Sequence, residues 1–129
     1  MPMNRILLAV VALAFLSSLS AASPTATPVR ADIDALLAML QASGCQFIRN
    51  GSWYSGAEAQ DHLLRKFEYL EKNGAIQSAE QFIELAASGS SLSGKPYQVR
   101  CGSESPVESR QWLIRQLSVI RSLSGQSKP

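Results

Sequence analysis

The one histidine of this chain, His62, lies four residues after Glu58. A serine-rich stretch, Ser88-Gly89-Ser90-Ser91-Leu92-Ser93-Gly94-Lys95, follows further along. Three chemistries call for residues of these kinds. A hydrolase pairs a hydroxyl nucleophile with a histidine base and an orienting acid, and His62 with a serine of the Ser88–Ser93 loop would supply the first two. The loop does not spell Gly-x-Ser-x-Gly, the strained turn that presents a nucleophilic serine. Serines in such a stretch ordinarily bond to nearby backbone. A metal site needs three or four ligands; Glu58 and His62 give two, with no second histidine to help, so no metal is expected. Gly89 to Lys95 spells most of a phosphate-binding loop, but Pro96 stands where Ser or Thr must hold magnesium. The elements around it also come in the reverse order, a helix before and a strand after. No cofactor is implied, and no complete catalytic set is present.

A binding surface is the fuller reading. Arg49, Asn50, Trp53, Tyr54, Lys95 and Tyr97 mix aromatic faces with fixed polar donors, and His62, Ser91 and Ser93 join them if the loop lies near. Such a surface suits a glycan, a peptide or an envelope protein. Adjacent strand residues face opposite ways, so one of Trp53 and Tyr54 fills the core while the other stays outward.

These residues must be positioned by the elements around them. Ile33, Leu36, Leu37 and Leu40 recur at helical spacing. A helix from about Asp32 is expected, with Asp32 and Asp34 in its first turn and Gly44 beyond its end. Cys45 to Arg49 and Ser52 to Tyr54 read as strands. Asn50-Gly51 between them is a strong hairpin signal, because both residues tolerate positive φ. A two-residue loop would pair Arg49 with Ser52 and Phe47 with Tyr54. Ser55 with Glu58 is a capping box opening a helix to Lys72, with Ala59, Leu63, Phe67 and Leu70 buried. Glu58, His62, Lys66 and Tyr69 fall on one flank of that stripe. Ser78 with Gln81 opens a shorter helix, and Tyr97 to Cys101 reads as a third strand. Ser105-Pro106-Val107-Glu108 reads as a further capping box before a last helix carrying Leu113, Leu117 and Ile120. The expected fold is α+β, a three-stranded antiparallel sheet covered by about four helices in the order α-β-β-α-α-β-α.

The chain's compartment is written at its start. Arg5 precedes an apolar run of eleven residues, Ile6 to Leu16, and small residues follow to Ala22. This is the layout of a secretory signal peptide, too short for a membrane span of about 20 residues. Residues 1–22 are read as the signal, cut after Ala22, and 23–31 as a flexible tether. One domain is read over 32–123, and 124–129 as a loose tail. The portion after the cut, about 107 residues, suffices for one small domain. Its net charge near +1 argues against a nucleic-acid surface, which needs a dense basic patch. Cys45 and Cys101 are an even pair in an exported small domain, which reads as one structural disulfide. Redox pairs sit two residues apart, and these do not.

Cys45-x-Phe47-Ile48-Arg49-Asn50-Gly51-x-x-Tyr54, then Glu58-Ala59-x-x-His62-Leu63, then Ala87-Ser88-x-Ser90-Ser91-x-Ser93-Gly94-Lys95-Pro96-Tyr97-x-Val99, then Trp112-Leu113, resemble the YfeK-like family. These are small secreted bacterial proteins labelled as a domain of unknown function. The resemblance implies a periplasmic protein and supplies no activity, substrate or catalytic residue. The expected function is a non-enzymatic binding or interaction module of the cell envelope. The alternative is a small envelope hydrolase built on His62 and a loop serine.

Overall fold

A computed structural model of the chain describes residues 25–125. The signal peptide read over 1–22, the Ser23-Pro24 start of the tether and the tail from 126 lie outside the described residues. Four helices and four strands follow in the order α1 (Thr27–Ala42), β1 (Gln46–Arg49), β2 (Ser52–Tyr54), α2 (Gly56–Lys72), α3 (Ala79–Ala86), β3 (Gln98–Arg100), β4 (Val107–Glu108) and α4 (Ser109–Leu123).

α1 starts inside the segment expected to be a tether. Pro28 sits in its first turn, where its missing N–H has no intrahelical acceptor to lose. Val29 packs against the core one turn before Ile33, so the apolar stripe runs further back than its leucines alone suggest. Asp32 is consequently not in the first turn; it is buried and lies 3.5 Å from Arg121 Nε. At the other end Ser43 Oγ donates to Leu40 O at 2.8 Å, and Gly44 takes a φ of +68°.

Asn50 and Gly51 both adopt positive φ, 49° and 79°, the backbone a tight two-residue hairpin demands. The register pairs Phe47 with Tyr54 and Arg49 with Ser52. Ser55 and Glu58 form the full capping box of α2. In α3 the exchange is displaced by one residue. Gln81 N donates to Ser78 Oγ, while the Gln81 side chain accepts from Gln77 N rather than from Ser78.

The sheet has four antiparallel strands, ordered β2-β1-β3-β4, not three. The additional strand is Val107–Glu108, read from the sequence as the first turn of the last helix. Val107 pairs with Val99 and Glu108 with Gln98, and α4 begins only at Ser109 with no side-chain cap. Ser-Pro-x-Glu satisfies the capping rule and the edge-strand rule equally, since proline is tolerated at the start of an edge strand. Neighbouring β3 decides between them by offering the backbone partners.

Phe47, Val99, Tyr54 and Val107 turn one sheet face toward the helices, where they meet Leu36 and Leu40 of α1, Leu63 and Phe67 of α2, Phe82 of α3 and Leu113 of α4. The other face carries Ile48, Trp53, Gln98 and Glu108. α2 can lie close to the end of α1 because its first residue is Gly56: a Cβ there would stand 2.5 Å from Leu40 O, closer than any side chain tolerates. That contact sets where α2, and with it His62, lies relative to the hairpin.

Cys45 and Cys101 are bonded, with Cα atoms 4.2 Å apart. The pairs Gln46–Arg100, Phe47–Val99 and Ile48–Gln98 place Cys45 opposite Cys101 at the next step. The short separation is that of directly opposed residues on antiparallel strands.

The cationic groove between the hairpin and the second helix

β1 ends at Arg49, and α2 presents His62, Arg65 and Lys66 on successive turns beside it. Tyr97, just before β3, comes up beneath them and is 1% exposed. Arg49 Nη1 lies 2.9 Å from His62 Nδ1 and 3.1 Å from Nε2. His62 Nε2 lies 3.1 Å from Tyr97 Oη. Lys66 Nζ donates to Tyr97 Oη at 3.2 Å and to Gly89 O at 3.0 Å. With the proton on Nε2, Nδ1 accepts from Arg49 and Nε2–H donates to Tyr97 Oη, whose second lone pair receives Lys66; the approach of Arg49 Nη1 to Nε2 is then a close contact and not a hydrogen bond. Arg49 is further steadied by the Tyr54 ring, 5.5 Å below its guanidinium.

This environment keeps the imidazole neutral. Burial, then the charges of Arg49, Lys66 and Arg65, push the His62 pKa from 6.5 down to about 4. Lys66 is lowered as well, by burial and then by Arg49. Tyr97 is raised by burial, with Arg49 opposing. Because the folded chain resists protonating His62, the unfolded chain binds more protons between pH 6.5 and about 4. The stability tied to a neutral His62 is therefore complete above pH 6.5 and lost as the pH falls toward about 4. Melting temperatures measured across that window should fall more for the native chain than for His62→Gln. Parallel curves for the two would contradict this account.

Two shallow cavities meet at His62 and Arg65. One, about 280 Å³, is walled by Arg49, Tyr54, Glu58, Asp61, His62 and Arg65 over Phe47. The other, about 290 Å³, takes in Lys66, Tyr69, Leu85 and Ser91.

The residues expected to share one surface are divided by the sheet. Arg49, Tyr54, His62 and Tyr97 come together as described. Asn50 and Ser93 instead fasten the hairpin turn to the serine loop: Ser93 Oγ donates to Asn50 Oδ1 at 2.6 Å, and Asn50 Nδ2 donates to Ser90 Oγ at 3.3 Å. Ser91 borders the second cavity. Trp53 and Lys95 belong to the opposite side. Trp53 is 45% exposed beneath the Arg100 guanidinium, and Lys95 lines a separate hollow with Ile48, Asn50 and Gln98. Arg65 and Lys66, outside the surface expected from the sequence, border the two cavities as well. Lys66 was legible, one turn beyond His62 on the flank already marked by Glu58.

The serines build the loop. Ser88 Oγ donates to Ile83 O, and Ser90 Oγ accepts from the amides of Leu92 and Ser93. The amides of Ser90, Gly94 and Lys95 are also taken up inside the loop, which is not the open nest a phosphate requires. Both ring nitrogens of His62 are engaged by Arg49 and Tyr97 rather than by a serine hydroxyl. Glu58 is spent on its capping box, and among the described residues no three His, Cys, Asp or Glu side chains form a metal-holding group. Among the same residues no helix is long and apolar enough to cross a membrane.

A family of unknown function, DUF5329, matches residues 27–121 of the chain. The chain is 41% identical over 96 residues to the uncharacterized protein YfeK of Salmonella typhimurium, covering 74% of this chain and 77% of that protein. No solved structure matches it.

Proposed function

We propose, for a chain that belongs to the DUF5329 family of unknown function, a role as a ligand-binding module of the bacterial cell envelope, exported by residues 1–22 and not itself an enzyme. The observation that carries this reading is the fastening of His62 between Arg49 and Tyr97 at the floor of an open groove. A general base must be free to take a proton near the working pH and must reach a nucleophile. His62 is a weak base, since its pKa is about 4, and its partners are a guanidinium and a phenol. Rigid donors beside an aromatic wall are instead what a binding groove uses to orient a ligand. The intramolecular disulfide supports an oxidising compartment. The charged start and short apolar run of the leader support export across the inner membrane.

The test is a titration of the isotopically labelled protein with a soluble digest of bacterial cell wall, whose glycans and peptides are the ligand classes considered. Amide signals of β1, β2 and the first half of α2 should move, Arg49→Ala should weaken the effect about tenfold or more, and the digest should be recovered chemically unchanged. Cleaved products would point to the hydrolase instead, and an unperturbed groove would remove the reading.

A further inference from the structure

Resting on that reading, we propose that the groove takes its ligand by a single carboxylate, gripped by the Arg49 guanidinium with Arg65 and Lys66 close by.

The charge pattern points there first. Arg30, Arg110 and Arg121 each lie within 4.0 Å of a carboxylate. Among the described residues, no carboxylate comes that near to Arg49, Arg65 or Lys66, nor to Lys72, Lys95, Arg100 or Arg115. What distinguishes Arg49 and Lys66 is that they are partly buried and close to one another around His62 and Tyr97. Both hydrogen-bond only to neutral partners, His62, Tyr97 and the Gly89 carbonyl, and exposed Arg65 borders both of their cavities. Partly buried charge without a counter-charge is costly, and a ligand anion would relieve it.

The donor geometry then narrows the anion. Arg49 spends Nη1 on His62; its Nε and Nη2 make no hydrogen bond to any described residue. That remaining edge of the fork is the one that receives a carboxylate through two parallel bonds. Phosphate could match the fork as well, but Glu58 and Asp61 line the same cavity and would repel a dianion more strongly than a monoanion. At about 280 Å³ the cavity lies just under the usual size of ligand pockets, room for one sugar acid or the last two residues of a peptide. Tyr54, whose ring backs the Arg49 guanidinium, lines the same cavity.

Because the chain has one histidine, its imidazole signals report this site without assignment. Four probes separate the sources: N-acetyl-alanyl-alanine, its C-terminal amide, glucuronate and inorganic phosphate. A carboxylate beside Arg49 offsets the positive field on the ring, so the bound acid should move the His62 titration from about 4 to about 5. The amide should leave it in place. Arg49→Lys, which keeps charge but loses the fork, should weaken the acid about tenfold, its folding checked by thermal melting. Binding by the peptide acid alone would assign a chain terminus, and binding by glucuronate alone a sugar acid. Equal binding of acid and amide would overturn the proposal, as would phosphate binding in preference to both acids. If the cell-wall digest perturbs the groove while neither acid does, the binding module stands and the carboxylate falls. If nothing perturbs it, both fall.

Discussion

Replacing Phe67 with alanine should destabilise the domain by about 3–5 kcal/mol, the range for truncating a large aromatic in a packed core. Phe67 is fully buried. Its ring meets Phe82 of α3 edge-on with centroids 5.8 Å apart, and the Arg30 guanidinium of α1 covers it at 4.8 Å. One side chain therefore joins three helices, and alanine would leave a cavity where they meet. Urea unfolding should register the loss as a lower midpoint with little change in slope. Phe67→Leu, which keeps most of the volume, should cost less than about 1.5 kcal/mol. A loss under about 1 kcal/mol for alanine would mean that the three helices are held elsewhere. Against a typical total of about 5–15 kcal/mol, the expected loss could unfold the chain, so Phe67→Leu is also the variant in which to ask whether His62, on the same helix, keeps its depressed pKa.

Removing the disulfide should cost nearly as much. With Cys45 and Cys101 56 positions apart in the chain, loop-closure entropy alone predicts about 4 kcal/mol, and native bridges in small domains return about 2–5. The double variant Cys45→Ala, Cys101→Ala should melt correspondingly lower, and the unreduced native protein should yield no free thiol to a labelling reagent. Cys45 precedes β1 and Arg49 ends it, so the bridge and the cationic groove lie at opposite ends of that strand. Binding of the carboxylate probes should survive wherever the double variant remains folded. A fully folded double variant that had lost them would make the cysteines part of the site.

Much of this architecture was written locally. Asn50-Gly51 tolerates the two positive φ values of the turn, and this alone set the register that brings Phe47 opposite Tyr54. Ser55 and Glu58 sit at the spacing that satisfies each other's amides, so the start of α2 needed no tertiary information. The leucine spacing of α1 and the even cysteine count were equally direct. Each is a rule about residues a few positions apart, or about chemistry that one compartment permits.

What the sequence could not decide were choices between two locally valid structures, and distances between elements far apart in the chain. Val107-Glu108 could cap a helix or edge a sheet, and became a strand only because β3 lay alongside with backbone groups to pair. Pro28 could end a tether or begin a helix, and Val29 reaching the core made it a helix. The candidate surface was split for the same reason. Alternation along β2 guaranteed that Trp53 and Tyr54 part ways, but only the packing of α2 on the hairpin, close because Gly56 has no side chain, made Tyr54 the one beside His62. Arg49, His62, Lys66 and Tyr97 come from three separate segments, and no spacing rule connects them. Their convergence, and the uncompensated charge that makes it chemically informative, exist only in the folded chain.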